Sequence, residues 1–470
     1  SNCCSLRHEE YIIEGEFPDV LIPFTQMDLT EHQNYVFWFS LKTPYEIEAG
    51  IYEGEIKFEF NEKETEKIKI KIEVWDFAIP KMRHLRSNIG WTRGTSQQIE
   101  NYFYHRMNDY GVPIRYTDDI EKLNTEDEYS CYYNTSSEQW VFNWIWWDNL
   151  TEYKLNNSMN AFAVQYPLGI ADGGRVPYIE DDERMGKMKK WLKRVESHLI
   201  DKHWLNYSFY YFIDEFQIFI PEEYDSREDY FEDVEDLLKE MKDAAPKIKI
   251  MTTTPPSEEL KDLKKYIDIY CPVSSDRDKD RWDERLEADC EFWMYACVGP
   301  MAPWPNSHLY NRLYECRILL WQCWLYDLHG FLYWASQAYY HGQYGIGYNG
   351  YGDGWFLYER KGQLYDSLRW ENYLDAQEDF EVLWLMDAAI QYLEENEGIV
   401  SRDKVKSLKE TMNDILQSVV GERWKYCDHP LTVYMARDQI GEILDDLSGD
   451  VNLTAIGESK WTPPYTRIQN

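Results

Sequence analysis

The stretch Tyr207-Ser208-Phe209-Tyr210-Tyr211-Phe212-Ile213-Asp214-Glu215 decides how the chain is read. An uncharged, aromatic-rich run ends in two adjacent carboxylates. A strand covered on both faces shows such continuous apolar character. Working outward, comparable runs recur. Strands are expected near Leu85–Trp91, Val112–Tyr116, Met159–Val164, Tyr207–Ile213, Ile248–Thr252, Ile267–Tyr270, Phe292–Cys297 and Gly330–Trp334. Helical segments fill most intervals. The clearest is Met185–Ile200, with Met188, Trp191, Leu192, Val195 and Leu199 on one face. Eight strands with interleaved helices predict an α/β fold, a (β/α)8 TIM-like barrel over residues 83–366. The region Leu123–Leu155 is irregular and receives no assignment.

The flanks differ. In residues 1–82, Ile68, Ile70, Ile72 and Val74 alternate with Lys69, Lys71 and Glu73, as in a sheet with one wet face. This predicts an N-terminal β-sandwich segment, incomplete for want of strands. Residues 367–470 read as a C-terminal helical segment that completes and flanks the barrel, with Phe380, Leu383, Met386 and Ala389 at helical spacing.

Lys+Arg total 49 and Asp+Glu 85, a net charge of −36. Such a surface repels phosphate backbones and anionic lipid, which argues against nucleic acid and membrane-surface partners. The longest apolar runs, such as Val141–Trp147, are too short for a membrane span. Nine Cys, an odd count without metal-ligand spacing, read as buried free thiols. Free thiols point to a reducing compartment; the opening Ser1-Asn2-Cys3-Cys4 is equally compatible with a removed signal or lipid anchor. Localisation is therefore open between cytoplasmic and secreted or surface-anchored. The 20 Trp and 38 Tyr supply core and also suit stacking on sugar faces.

Catalytic groups of barrels project from the C-terminal ends of strands. There stand Arg93 after the first strand, Gln165-Tyr166-Pro167 after the third, Asp214-Glu215 after the fourth, Trp304-Pro305-Asn306 after the seventh and Ser336-Gln337 after the eighth. The acidic pair is the sharpest signal. Two carboxylates at a barrel mouth repel each other and lose solvation, a cost that function explains more readily than packing. In an acidic protein the bland reading is a solvated loop start. Successive strand residues face opposite ways, so both acids reach one pocket only if the chain twists or bulges there. Gly345-Ile346-Gly347-Tyr348-Asn349-Gly350 fits a dinucleotide pattern by letters, but no helix opens on its third glycine, so it reads as a loop. The sequence has no HExxH, GxSxG or GxxxxGK[ST], and no cofactor or metal is expected. Arg317 reads equally as a buried ion-pair member and as a support beneath the site. Trp293, Tyr295 and Trp334 read as barrel packing or as sugar platforms.

These residues resemble glycoside hydrolase family 123, the β-N-acetylgalactosaminidase family, and its wider relatives. The resemblance rests on Ala49–Gly54 with Val74–Phe77, on Tyr211–Glu215, on Trp293–Tyr295 through Asn306 to Arg317, Trp321 and Gly330–Trp334, and on Gly352-Asp353-Gly354-Trp355 with Ser367–Arg369 and Glu378–Glu381. It spans nearly the whole chain. Phe216 follows the acidic pair where the family usually has proline. The resemblance implies a retaining, substrate-assisted reaction in which the sugar's 2-acetamido oxygen replaces an enzyme nucleophile. Glu215 would be the general acid and then base, and Asp214 would orient the acetamido group. Trp293, Tyr295, Asn306, Trp334, Asp353 and Arg93 are the expected substrate contacts, with Tyr295 the candidate donor to the acetamido oxygen. The partner implied is a glycan or glycolipid carbohydrate. Two alternatives stand beside release of β-linked N-acetylgalactosamine: the same fold acting on another sugar, and a non-catalytic carbohydrate-binding protein.

Overall fold

The computed structural model describes residues 17–60, 64–90, 94–126, 128–172, 176–276, 290–338, 351–422 and 424–458. Arg93, the 345–350 glycine motif and the N-terminal Cys3-Cys4 lie outside them. Seven strands form one parallel sheet: β1 (Arg86–Ile89), β2 (Phe162–Val164), β3 (Ser208–Tyr211), β4 (Lys249–Thr252), β5 (Ile269–Tyr270), β6 (Glu291–Ala296) and β7 (Gly330–Tyr333). Their spatial order is β1-β7-β6-β5-β4-β3-β2. From β2 to β7 each strand pairs with the next in sequence, and β7 returns to pair with β1 through Gly330↔Arg86 to Tyr333↔Ile89.

The gap between β1 and β2 is bridged by irregular chain. Ile89 N–H donates to Asn108 O at 2.8 Å, and Ala163 N–H to Tyr110 O at 2.9 Å. Asn108–Tyr110 thus occupies the second barrel position without strand geometry. The expected strand Val112–Tyr116 is corrected accordingly. Gly111 follows at φ +97°, with Phe162 so close that a Cβ would lie 2.6 Å from its side chain. Pro113, next but one, has no N–H to donate. The chain therefore leaves the barrel, and Tyr116–Thr117 pairs instead with Cys131–Asn134, which also pairs with Gln139–Phe142. That small sheet accounts for much of the unassigned 123–155 region.

The barrel interior is filled by Ala161, Ala163, Phe209, Met251, Ile269, Cys271, Trp293, Tyr295 and Leu332. Small alanines on β2 and its approach make room for Trp293, which meets Phe209 edge-on at 5.6 Å. The helix α1 (Ser96–Tyr104) follows β1, and α2 (Asp182–Asp201) follows β2. In α2 the expected face is buried, and the Asp181 side chain caps the first turn by accepting from Arg184 N–H. Burying each such Leu, Met or Val face residue contributes about 1.5–3 kcal/mol. After β3 comes α3 (Arg227–Ala244); α4 (Glu315–Leu325) precedes β7.

Two compact units divide the described chain: 17–20 with 85–377, and 21–84 with 378–458. The N-terminal and C-terminal flanks thus share one unit, unlike the three-part reading of 1–82, 83–366 and 367–470. That unit holds α5's C-terminal half (α5, Leu368–Glu395), α6 (Arg402–Val419) and α7 (Pro430–Ser448). The Trp75 ring stacks on Phe77 and lies against Gly441, where a Cβ would sit 2.1 Å from it. His84 Nδ1 pairs with Glu381 Oε2 at 2.5 Å and its ring stacks on Trp384. The β-sandwich expected over 1–82 is not what the described residues form. They make a single antiparallel hairpin, Gly50–Phe60 with Glu64–Val74, in register Gly50↔Val74. Ile51, Tyr52, Phe60 and Ile68 are exposed on it.

Candidate active site

The aromatic run decides where the acids emerge. β3 ends at Tyr211, Phe212 and Ile213 are buried, and the chain turns at Asp214 and Glu215. Glu215 adopts φ +46°, in the left-handed region that a non-glycine side chain rarely visits. Strain of this kind costs about 1–3 kcal/mol and collects at functional sites. It breaks the strand alternation that would otherwise send the two acids apart.

Thr253, just past β4, links the pair. Its Oγ1 donates to Asp214 Oδ1 at 2.9 Å and accepts the backbone N–H of Glu215 at 2.8 Å. Tyr211 Oη also donates to Asp214 Oδ1, at 2.9 Å. Both donors converge on Oδ1; among the described residues none donates to Oδ2. On the opposite side of the barrel, Tyr295 Oη on β6 donates to Glu215 Oε1. Burial, joined by the charges of Glu215 and Asp214, pushes the Tyr295 phenol far above its ordinary value. Tyr295 therefore remains a neutral donor.

Asp353 is buried. Its Oδ1 accepts from Tyr333 Oη at 2.8 Å and from Trp334 Nε1 at 2.9 Å. Desolvation raises its carboxyl above the usual range, against the lowering pull of those two donors and of Arg369. Burial pushes the Cys297 thiol up to about 12, and the charges of Asp353, Glu215 and Asp214 add to that rise. Three carboxylates thus converge on one region of the barrel mouth.

The mouth opens into a cleft of about 1080 Å³ whose lining includes Tyr110, Gln165, Tyr166, Tyr211, Asp214 and Trp334. That volume is ample for a monosaccharide and its aglycone. Glu215 is half-buried beside Asp214.

The structure brings together Asp214, Glu215, Tyr295, Trp334 and Asp353 of the expected residues. It does not place Trp293 or Asn306 on the cleft. Trp293 has no exposed surface and directs its indole N–H to Glu291 Oε2 at 3.2 Å, so barrel packing is its role. Asn306 is buried, its amide donating to Cys297 O and Pro300 O and its Oδ1 accepting from Ser307 N–H. It braces a loop and offers no face to a sugar. Arg317 is buried, its guanidinium 4.0 Å from Asp375, in keeping with the ion-pair reading. Thr253, Tyr211 and Tyr110 were not singled out by the sequence. The triple Thr252-Thr253-Thr254 at a strand's C-terminal end was the available signal for Thr253.

A parallel barrel that gathers adjacent carboxylates and neutral phenol donors at its C-terminal mouth is equipped for acid–base chemistry on a polar ligand. The sequence profile of the glycoside hydrolase 123 catalytic domain matches residues 107–386. The chain belongs to glycoside hydrolase family 123; it is a glycosidase by family and its substrates are carbohydrates. No curated protein matches it. Among solved structures it is similar to a family 123 glycoside hydrolase from Clostridium perfringens, studied for glycolipid glycan hydrolysis, at TM-score 0.55 and 15% identity over 86% of this chain and 77% of that one. A family 39 β-xylosidase from Caulobacter crescentus aligns at TM-score 0.39 and 13% identity over 63% of this chain and 72% of that one. A family 39 enzyme from Xanthomonas axonopodis pv. citri aligns at TM-score 0.40 and 11% identity, covering 63% and 67%. No helix among the described residues is long and apolar enough to cross a membrane.

Proposed function

We propose that the protein removes terminal β-linked N-acetylgalactosamine from glycans or glycolipids by a retaining, substrate-assisted reaction. The observation that carries this reading is the division of labour within the acidic pair. Asp214 Oδ1 is held by two hydroxyls while Oδ2 is left to accept a ligand N–H. Glu215 is held separately by Tyr295. An ordinary retaining site would instead present a nucleophile and an acid facing each other at about 5–5.5 Å across the sugar.

In the first step Glu215 gives its proton to the glycosidic oxygen as the bond to C1 breaks. The acetamido oxygen of the same sugar attacks C1, and a cyclic oxazolinium forms. Asp214, ionised, accepts the acetamido N–H and balances the developing positive charge. In the second step Glu215, now a carboxylate, takes a proton from water as that water opens the oxazolinium at C1. Two inversions leave the β configuration, and Glu215 ends protonated as it began. Tyr295 serves Glu215 in this arrangement rather than the acetamido oxygen. Trp334, held by Asp353, offers its ring to the sugar face.

The test is hydrolysis of aryl β-GalNAc beside aryl β-GlcNAc and aryl β-Gal, with Glu215→Gln as control. Release from β-GalNAc alone, lost in the variant, is expected. Equal turnover of aryl β-Gal would overturn acetamido participation, because that sugar has no acetamido group. A thiazoline mimic of the oxazolinium is expected to inhibit strongly.

A further inference from the structure

Away from the cleft, His105 follows the C-terminus of α1, and Asp366 and Glu371 stand at the start of α5. The His105 side chain has no exposed surface and Glu371 is also buried. His105 Nδ1 lies 2.9 Å from the carbonyl oxygen of Asn101. A carbonyl only accepts, so Nδ1 carries the proton and, in the neutral ring, Nε2 carries a lone pair. That buried Nε2 has no hydrogen-bond partner among the described residues. It faces Glu371 Oε1 at 3.5 Å, too long for a hydrogen bond. Elsewhere the chain pairs His with carboxylates directly: His198 with Asp148 at 2.7 Å and His84 with Glu381 at 2.5 Å.

A lone pair aimed at a carboxylate is repulsive unless a proton or a metal cation lies between them, and 3.5 Å is long for a proton bridge. Ligand atoms about 2.0–2.2 Å from a shared ion are about 3.4 Å apart across a tetrahedral angle, close to the 3.5 Å His105–Glu371 separation. One ligand atom each from His105, Asp366 and Glu371 lies within 4.8 Å of the others. The half-buried Asp366 carboxylate is the third member of this group. Asn101 supplies the outer support that metal-bound side chains need: its carbonyl fixes His105, its Nδ2 donates to Asp366 Oδ1 at 2.6 Å, and its Oδ1 accepts from Trp370 Nε1 at 2.8 Å. We propose that His105, Asp366 and Glu371 form a structural site for a divalent cation of the zinc class, which clamps the end of α1 to the start of α5. One imidazole nitrogen and two carboxylates, with water as the fourth ligand, suit Zn²⁺; Ca²⁺ wants six to eight oxygens.

The test is calorimetric titration of Zn²⁺ into the metal-stripped full chain, with excess Ca²⁺ present to occupy surface carboxylates. One equivalent is expected to bind, with a rise in Tm. His105→Gln and Asp366→Asn are each expected to weaken binding at least tenfold and to abolish the rise, while circular dichroism stays as in the wild type. Asp366 is half-exposed, so Asp366→Asn decides the matter if His105→Gln fails to fold. Absence of a stoichiometric site in the wild type, or wild-type affinity in Asp366→Asn, would overturn the proposal.

Discussion

Thr253 Oγ1 has a single proton and directs it to Asp214, so its second bond has to come from the Glu215 backbone N–H. One hydroxyl therefore fixes both acids, one by its carboxylate and the other by its main chain at strained φ. Thr253 touches no reacting atom in this arrangement and is a positioning residue. Thr253→Val keeps the volume and removes both bonds. A misplacement of about 1 Å costs on the order of 10²-fold in rate, so kcat is expected to fall by about that much with little change in KM. Thr253→Ser is expected to restore most of it. Equal losses in Ser and Val variants, with falling Tm, would assign Thr253 to packing alone. The acidic pair was legible in sequence because an apolar run points at it. Thr253 was not, and Tyr295 was expected at the site but not as the donor to Glu215, since the two lie 38 and 80 residues from Glu215 and only the folded barrel sets them opposite it.

Strands were legible where apolar runs were continuous and both faces are covered, as in β3, β6 and β7. The second barrel position was not, because Asn108 substitutes side-chain bonds to Ser87 and Asn160 for hydrophobic patterning. Strand ends also divide by function. At the N-terminal ends, Glu291 of β6 meets Arg86 of β1 at 2.6 Å and Lys249 of β4 at 2.5 Å. This cluster lies at the stability face of the barrel, opposite the mouth. Burial alone would raise the Glu291 carboxyl, but Arg86 and Lys249 outweigh it and hold it down at about 2. A depressed folded-state value stabilises the protein above the ordinary carboxylate value near 4.5 and loses that contribution as pH falls toward about 2. Glu291→Gln leaves the buried Arg86 and the half-buried Lys249 without their anion, which costs about 3–5 kcal/mol. Urea unfolding should show that loss at neutral pH and a smaller one in acid. A constant difference between the two would mean the cluster is packing rather than charge. In the same region Gly330 lies against Trp293, where a Cβ would sit 2.2 Å from the indole. A glycine opening β7 is therefore a condition for the buried tryptophan, a link no linear reading of either residue supplies.

Over the whole molecule, 85 acidic side chains face 49 basic ones. Local pairs such as Lys187–Glu183 and Lys409–Glu394 are surface pairs worth about 0–1 kcal/mol each, and salt weakens them. The unpaired excess acts the other way: at a net charge of −36 the compact state repels itself, and salt relieves that repulsion. The screening length shrinks from about 30 Å at 0.01 M to about 8 Å at physiological ionic strength. An excess of 36 like charges outweighs scattered pairs worth about 0–1 kcal/mol each, so Tm is expected to rise across that range. A fall would show that local pairs dominate. The same field bears on substrate choice. An uncharged hexosamine glycoside enters a mouth lined by Asp214 without Coulombic resistance, and its kcat/KM should be flat over the salt series. A sulfated counterpart should gain in kcat/KM as salt rises. Comparing the two slopes separates the field's effect on the fold, which both assays share, from its effect on the ligand, which only the anion feels.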